Sequence, residues 1–347
     1  MSDTTPAGDP TDPQQDSVAV DPVSDSSSAC GGVVGGLIKL ARPHQWTKGV
    51  FVLLGPAFAI GDHSMVIGED GVSVSQLIWA TGLAFFAFCL AASGCYVFND
   101  LADVERDRVH PRKRRRPIAS GRVSEGQARV FGVSLLVIGL GLGFLVPGTV
   151  GWWVGGLVAL YIVNVMLYTA VLKHIVIFDV LSLSSGFVLR VLGGCAAVAV
   201  TPSTWLLNAT LFLSMFLAFG KRLGERRVMG NEDAAATRGV LLRYSDQTLR
   251  MMVVVVGVAT LLTYTGYVQS REGSMSVILA SGMGGEFSFN LLWVTVMPAM
   301  VGLLRTITLI MEGRYDDPTE LALRDPIVRY SGVGFVVLMV GAVLLAG

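Results

Sequence analysis

Charge is scarce in this chain. Asp, Glu, Lys and Arg make up only 15% of its 347 residues, while 52% are hydrophobic. Soluble domains usually carry about 25% charged residues, so this balance, with a mean hydropathy of +0.61, excludes an ordinary soluble enzyme and indicates a polytopic membrane protein. Cysteine is nearly absent. Cys30, Cys89, Cys95 and Cys195 form no CxxC pair, and three of them lie within apolar runs, so they read as small packing residues rather than disulfides or metal ligands. The 4 histidines lack ligand spacing, which argues against a zinc site. No Lys or Arg occurs before Lys39. The Asp-, Ser-, Thr- and Pro-rich start has no basic region ahead of an apolar core, and therefore reads as a disordered cytosolic tail over 1–32 rather than a signal peptide.

The rest of the chain, 33–347, reads as one all-α transmembrane domain. A crossing takes about 20 apolar residues, and nine candidate spans meet that: 37–60, 76–99, 128–147, 150–171, 175–199, 204–220, 250–269, 289–311 and 328–346. The connecting segments alternate in basic content. Residues 100–129 hold nine Lys or Arg, 221–250 seven, 312–329 three and 172–174 one, whereas 61–75, 148–149 and 200–203 hold none and 270–288 only Arg271. The positive-inside rule makes the basic loops cytoplasmic. The expected topology is a multi-pass protein of the inner (plasma) membrane with its N-terminus cytoplasmic and its C-terminus extracytoplasmic. The glycines of Gly139-Leu-Gly-Leu-Gly143 and Gly151-x-x-x-Gly155 lack a following Gly-Lys-Ser/Thr and are expected to serve close helix packing rather than phosphate binding.

The most informative stretch is Asn99-Asp100-Leu-Ala-Asp103-Val-Glu-Arg-Asp107, which follows the uncharged run 77–98. On a continuous helix Tyr96, Asn99, Asp100, Asp103 and Asp107 share one stripe. Three acids stacked at a helix C-terminus repel one another and face an unfavourable dipole. A divalent cation relieves both, and Mg²⁺ completes its octahedron with water and substrate phosphate oxygens. The stripe thus predicts a Mg²⁺–diphosphate site at the cytoplasmic face, with Asn99, Asp100, Asp103 and Asp107 as its candidate residues.

Cations surround that stripe. His110-Pro-Arg-Lys113-Arg-Arg-Arg116-Pro117 interleaves base with proline next to the acids, so Lys113 and Arg116 are expected to clamp a polyanion rather than only bind anionic lipid. Arg42-Pro43-His-Gln-Trp-Thr-Lys48 precedes about thirteen charge-free residues. The first span must therefore draw Lys48 below the membrane surface, towards a cavity or a partner. Tyr168 and Lys173 lie at the cytoplasmic end of the fourth span. Asp179 and Arg190 lie within the fifth, three turns apart, where buried charge marks a functional site by default. Lys221 and Arg222 offer further phosphate-binding cations after the sixth span. Arg305 has no assigned role.

Nine spans, the Asn99-Asp100-x-x-Asp103-x-x-x-Asp107 motif and the Tyr168/Lys173 pair resemble the UbiA family of intramembrane transferases over about residues 37–346. The resemblance implies a helical bundle that ionises a Mg²⁺-bound diphosphate and opens sideways to lipid. Ordinary prenyltransferases of the family carry a second Asp-x-x-x-Asp after the sixth span, whereas the stretch here is basic, Lys221-Arg222-Leu-Gly-Glu225. Together with His110-Pro-x-Lys113-x-x-Arg116-Pro-Ile-Ala-Ser-Gly121 and the segment ending Gly186-Phe-Val-Leu-Arg190, it resembles the branch that joins phosphoribosyl diphosphate (PRPP) to polyprenyl (decaprenyl) phosphate for a cell-wall arabinose donor. The resemblance implies PRPP and polyprenyl phosphate as substrates, Mg²⁺ as cofactor, membrane lipid as surroundings and no nucleic-acid partner. Three phosphate-bearing groups around one sugar call for many cations, which Lys48, Lys113, Lys173, Arg190, Lys221 and Arg222 supply. The alternative is prenyl transfer from a prenyl diphosphate to an aromatic acceptor. A transporter would place its polar groups near the midplane, and the acid pattern of CDP-alcohol phosphotransferases is missing.

Overall fold

The computed structural model describes residues 32–61, 73–111, 113–228, 243–273, 275–282, 285–313 and 324–346. The expected tail over 1–32 therefore lies almost wholly outside the described residues, as do Cys30 and Arg112. The helices are α1 (Val33–Ala41), α2 (Val50–Gly61), α3 (Val74–Ala102), the short α4 (Val104–Val109), α5 (Glu125–Phe144), α6 (Val150–Ala170), α7 (Phe178–Ala197), α8 (Thr204–Val228), α9 (Asp246–Ser270), α10 (Val296–Glu312) and α11 (Pro326–Ala346). Among the described residues, eight helices are long and apolar enough to cross a membrane, and they match eight of the nine spans expected from sequence.

The remaining expected span, 37–60, is divided. α1 stops at Ala41, Arg42 adopts a left-handed conformation (φ 50°), and a 3₁₀ turn over Pro43–Gly49 leads into the 12-residue α2. A residue before proline avoids the α region, and Pro43 sits where a new helix can start without its missing N–H. Ser93 of α3, fully buried, fixes this break by donating to the Ala41 carbonyl at 2.6 Å and accepting from the Trp46 indole at 3.0 Å. An antiparallel hairpin, β1 (Ser276–Gly282) and β2 (Gly285–Asn290), joins α9 to the 3₁₀ turn before α10, a local departure from the all-α expectation.

Capping residues set the entries of several spans. Ser73 and Ser124 each form a reciprocal capping box, with Gln76 and Gln127 respectively, and the Ser245 hydroxyl accepts from the Thr248 amide. α7 and α3 are the most enclosed spans and α11 the least. The core between α3, α6 and α7 contains Ala84, Ala87, Phe88, Ala91, Val154, Val158 and Tyr161. Small residues bring these helices together. A side chain at Gly194 would strike the Val52 carbonyl oxygen, so α2 lies directly on α7. Gly143 and Gly155 likewise meet where α5 packs on α6, the close-packing role expected of those glycines. A second core contains Val180, Phe216, Phe219, Leu223, Tyr244, Leu249 and Val253. This connectivity gathers the C-terminal ends of α3, α6 and α8 and the entries of α7 and α9 at one end of the bundle.

Candidate active site

The acids do not lie on one unbroken helix. Asp103 ends α3 and begins α4 with non-helical backbone (φ −99°, ψ 5°), so the expected stripe is divided at its middle acid. Asp100 and Asp107, one on each side of the break, are both 3% exposed and converge on a single atom. Arg116 Nη1 lies 2.7 Å from Asp107 and 3.1 Å from Asp100. Arg42 Nη2 holds the same Asp100 oxygen at 2.6 Å, and its guanidinium lies over the Tyr96 ring at 5.1 Å. Asp103 faces elsewhere: Lys173 Nζ, in the 3₁₀ turn Leu172–His174 after α6, lies 3.3 Å from its carboxylate, and Arg106 lies at 3.8 Å. Two carboxylates that neutralise one shared guanidinium nitrogen present hard oxygen donors to a common point. That donor set fits a divalent cation such as Mg²⁺, although no cluster of three or more His, Cys, Asp or Glu side chains occurs among the described residues.

Immediately inside this cluster is a cavity lined by Lys48, Cys95, Tyr96, Asn99, Tyr161, Asn164, Tyr168, Ser182, Gly186, Phe187 and Arg190, among others. Five residues expected at the substrate, Lys48, Tyr96, Asn99, Tyr168 and Arg190, thus share one chamber. Arg190 is 5% exposed, and among the described residues no carboxylate pairs with it. It donates to the Tyr161 hydroxyl at 2.7 Å and to the Gly186 carbonyl at 3.3 Å, and lies over the Tyr161 ring at 4.6 Å. A buried cation without a carboxylate partner is costly, and here it borders a cavity. Asn164 and Ser182 satisfy each other across α6 and α7, with the Asn164 amide donating to the Ser182 carbonyl at 2.8 Å.

The remaining predicted residues lie outside the chamber. Lys113 opens the 3₁₀ turn Lys113–Arg115 beside Arg116, and its backbone amide faces His110 Nδ1 at 3.4 Å. Lys221 is exposed on α8. Arg222, expected at the substrate, is instead enclosed at 3% exposure, with Nε 2.9 Å from Asp179 and Nη1 2.7 Å from Glu225. Asp179 consequently pairs across helices with Arg222 rather than sharing a site with Arg190. Its second oxygen accepts from the Tyr244 hydroxyl at 2.8 Å. Burial pushes the Tyr244 phenol above its ordinary range, which keeps the hydroxyl protonated. Arg305, unassigned from sequence, joins α10 to Asp325 at the entry of α11, 2.9 Å away.

Sequence reasoning missed Arg42, Tyr161, Asn164 and Ser182. Arg42 was visible as a cation abutting a proline. Tyr161 and Asn164 were visible as polar residues inside an otherwise apolar span, the usual mark of a lined cavity.

The bundle, eight of whose described helices are long and apolar enough to cross a membrane, gathers carboxylates and cations beside a polar chamber at one end. The chain belongs to the UbiA prenyltransferase family, which matches residues 53–323. It is 33% identical over 301 residues to a decaprenyl-phosphate phosphoribosyltransferase of Mycolicibacterium smegmatis, covering 86% of this chain and 89% of that one. It is 31% identical to the Corynebacterium glutamicum protein of the same name, covering 89% and 87%. A UbiA homolog from Archaeoglobus fulgidus, solved bound to GPP and Mg²⁺, superposes with a TM-score of 0.60 over 90% of this chain and 99% of that one. At 13% identity that likeness concerns the fold.

Proposed function

We propose that this chain is a Mg²⁺-dependent phosphoribosyltransferase. It moves the 5-phosphoribosyl group from PRPP to a polyprenyl phosphate, with decaprenyl phosphate as the acceptor, and releases diphosphate for cell-wall arabinose-donor synthesis. The observation that carries this reading is the second cationic pole. Arg190 and Lys48 line the chamber together with Tyr96 and Asn99, and Asn99 adjoins Asp100, which Arg116 holds at 3.1 Å. A prenyl diphosphate has one charged end, whereas PRPP carries a diphosphate and a separate 5-phosphate. Its relatives at 30–33% identity, named for that reaction, support the same reading.

Asp107 and Asp100, which meet at Arg116, would hold Mg²⁺, with Asp103 joining them on release from Lys173, and the ion when bound would neutralise diphosphate charge and improve it as a leaving group. Arg116, Lys113 and Lys173 bind the diphosphate, while Asn99, Tyr96 and Tyr168 orient the ribose between the poles. Lys48 and Arg190 take the 5-phosphate, and Lys221 draws anionic substrate to the entrance. As the ribose C1–O bond to diphosphate breaks, the sugar gains oxocarbenium character, and an oxygen of the lipid phosphate forms the new bond to C1. That oxygen is already anionic and needs no strong general base.

The charge pattern of the loops supports a site on the cytoplasmic face of the inner membrane, with the tail over 1–32 inside, the transferase domain over 33–347, and the C-terminus outside. The test is a product assay on purified protein. PRPP with decaprenyl phosphate yields the lipid-linked phosphoribose, and a prenyl diphosphate with an aromatic acid yields nothing. The reverse result establishes the aromatic prenyltransferase. Asp103→Ala and Asp107→Ala abolish transfer while the protein still inserts and folds.

A further inference from the structure

The network around Asp179 lies outside the chamber, yet it reaches the turn that carries Lys173. Ile177, between that turn and α7, holds a positive φ of 72°, a conformation that β-branched residues rarely adopt. Its backbone amide donates to the Tyr244 hydroxyl at 2.5 Å, and the same hydroxyl donates to Asp179 at 2.8 Å. Asp179 is in turn held by Arg222, and Arg226 donates to the Tyr244 carbonyl. One phenol entering from the start of α9 therefore closes a strained linker whose other end, four residues upstream, places Lys173 against Asp103 at 3.3 Å.

We infer that Tyr244 is a positioning residue, a latch on the 172–178 turn that holds Lys173 at the diphosphate end of the site. Without the hydroxyl, the Ile177 amide loses its acceptor and Asp179 loses one of its two donors. The turn is then free to relax towards an unstrained φ, which carries Lys173 away from Asp103. Arg190 and Lys48, proposed to take the 5-phosphate, are not part of this network, so the effect falls on the diphosphate end of PRPP.

The kinetic arm of the test rests on the phosphoribosyl-transfer reading, and the exchange arm does not. Tyr244→Phe in the full-length protein should raise KM for PRPP about ten-fold, the effect expected of a lost hydrogen bond to a charged group, with kcat within about two-fold. KM for decaprenyl phosphate should not change. Because the latch acts through Lys173, Tyr244→Phe added to Lys173→Ala should cost nothing further. In ligand-free protein, peptides spanning 172–178 should exchange their amides faster in Tyr244→Phe than in wild type. Additive losses in the double variant, or unchanged exchange over 172–178, overturn the latch. If Tyr244→Phe does not fold, it is measured on the Ile177→Gly background, where φ 72° is unstrained: the latch then predicts a change in KM for PRPP well below ten-fold relative to Ile177→Gly alone, and an undiminished ten-fold change overturns it. Should wild-type protein fail to use PRPP, the proposed reaction falls. The exchange result then decides the latch alone: acceleration sustains it and no change sinks it.

Discussion

Arg190 donates to the Tyr161 hydroxyl at 2.7 Å, and neither side chain has a carboxylate to balance the guanidinium among the described residues. The fold therefore holds a cation in the wall of its chamber at a net desolvation cost, which the phosphate proposed to bind there would offset. The neighbouring aromatic faces of Tyr161 and Phe187, at 4.6 and 5.5 Å, keep the guanidinium in place until then.

The first prediction follows from that cost. Arg190→Met should lower kcat/KM for PRPP by about two orders of magnitude, as loss of charge-assisted contacts does. It should change the ligand-free melting temperature by only a few degrees, since the buried charge disappears with the side chain. Arg190→Lys should recover little, because a single ammonium cannot reproduce a planar fork. A large fall in melting temperature with normal kinetics would identify Arg190 as a structural residue instead. Steady-state kinetics and thermal unfolding on the same preparations decide between them.

Arg116 gives a prediction about metal. Its Nη1 neutralises two carboxylates that are otherwise enclosed, Asp100 and Asp107. Arg116→Gln leaves them facing each other, which should destabilise the metal-free protein by about 2 kcal/mol. That is less than removing one partner of a fully buried pair, because Arg42 still holds Asp100 and Arg116 itself is 31% exposed. A divalent cation binding those acids replaces the missing charge. The rise in melting temperature between EDTA and Mg²⁺ should therefore be larger in Arg116→Gln than in wild type. An equal or smaller rise would place the ion elsewhere.

The features legible in sequence were those set by neighbours along the chain. The uncharged run before Asn99 and the acids after it share one local segment, and eight spans follow from apolar length alone. The break at Arg42 was hidden because 49–60 is apolar throughout, and only the Arg42-Pro43 pair hinted that the helix could not run through. The partner of Asp179 was not legible either. Spacing along α7 suggested Arg190, but Arg222 reaches Asp179 from α8, and such pairings depend on how helices pack rather than on periodicity. Even the acid stripe shows this, since the turn at Asp103 directs that carboxylate to Lys173 while Asp100 and Asp107 meet at Arg116. The hairpin over 276–290 was obscured by a bulge between Ile278 and Ala280 that breaks the alternation of its first strand.

Ser93 tests whether the break before α2 serves the site. Its hydroxyl links the Ala41 carbonyl to the Trp46 indole, and Arg42 lies between those two anchors. Ser93→Ala leaves both half-buried groups without that partner and should cost about 1 kcal/mol of stability. It should also free the turn that aims Arg42 at Asp100 and Lys48 into the chamber. Ser93→Thr, which keeps the hydroxyl, should retain more activity than Ser93→Ala. Equal activity in the two variants would show that the break is tolerated rather than required.

Asp325 provides a test in pH. Its carboxylate accepts from Arg305 at 2.9 Å and from the amides of Ile327 and Val328 at 3.0 and 3.1 Å, and the Arg305 contact foremost holds its pKa below the usual carboxylate range. A carboxylate whose folded pKa is depressed adds stability that is complete above its unfolded value of about 3.9 and is lost as pH falls through the folded value. Asp325→Asn keeps a cap acceptor but removes the charge. Its melting temperature should therefore lie below wild type at pH 7, and the gap should narrow only once the pH drops beneath about 4. Thermal unfolding across pH 3 to 8 measures the gap. A difference independent of pH would mean that α10 and α11 are joined through capping and packing, and that the Arg305 ion pair contributes nothing.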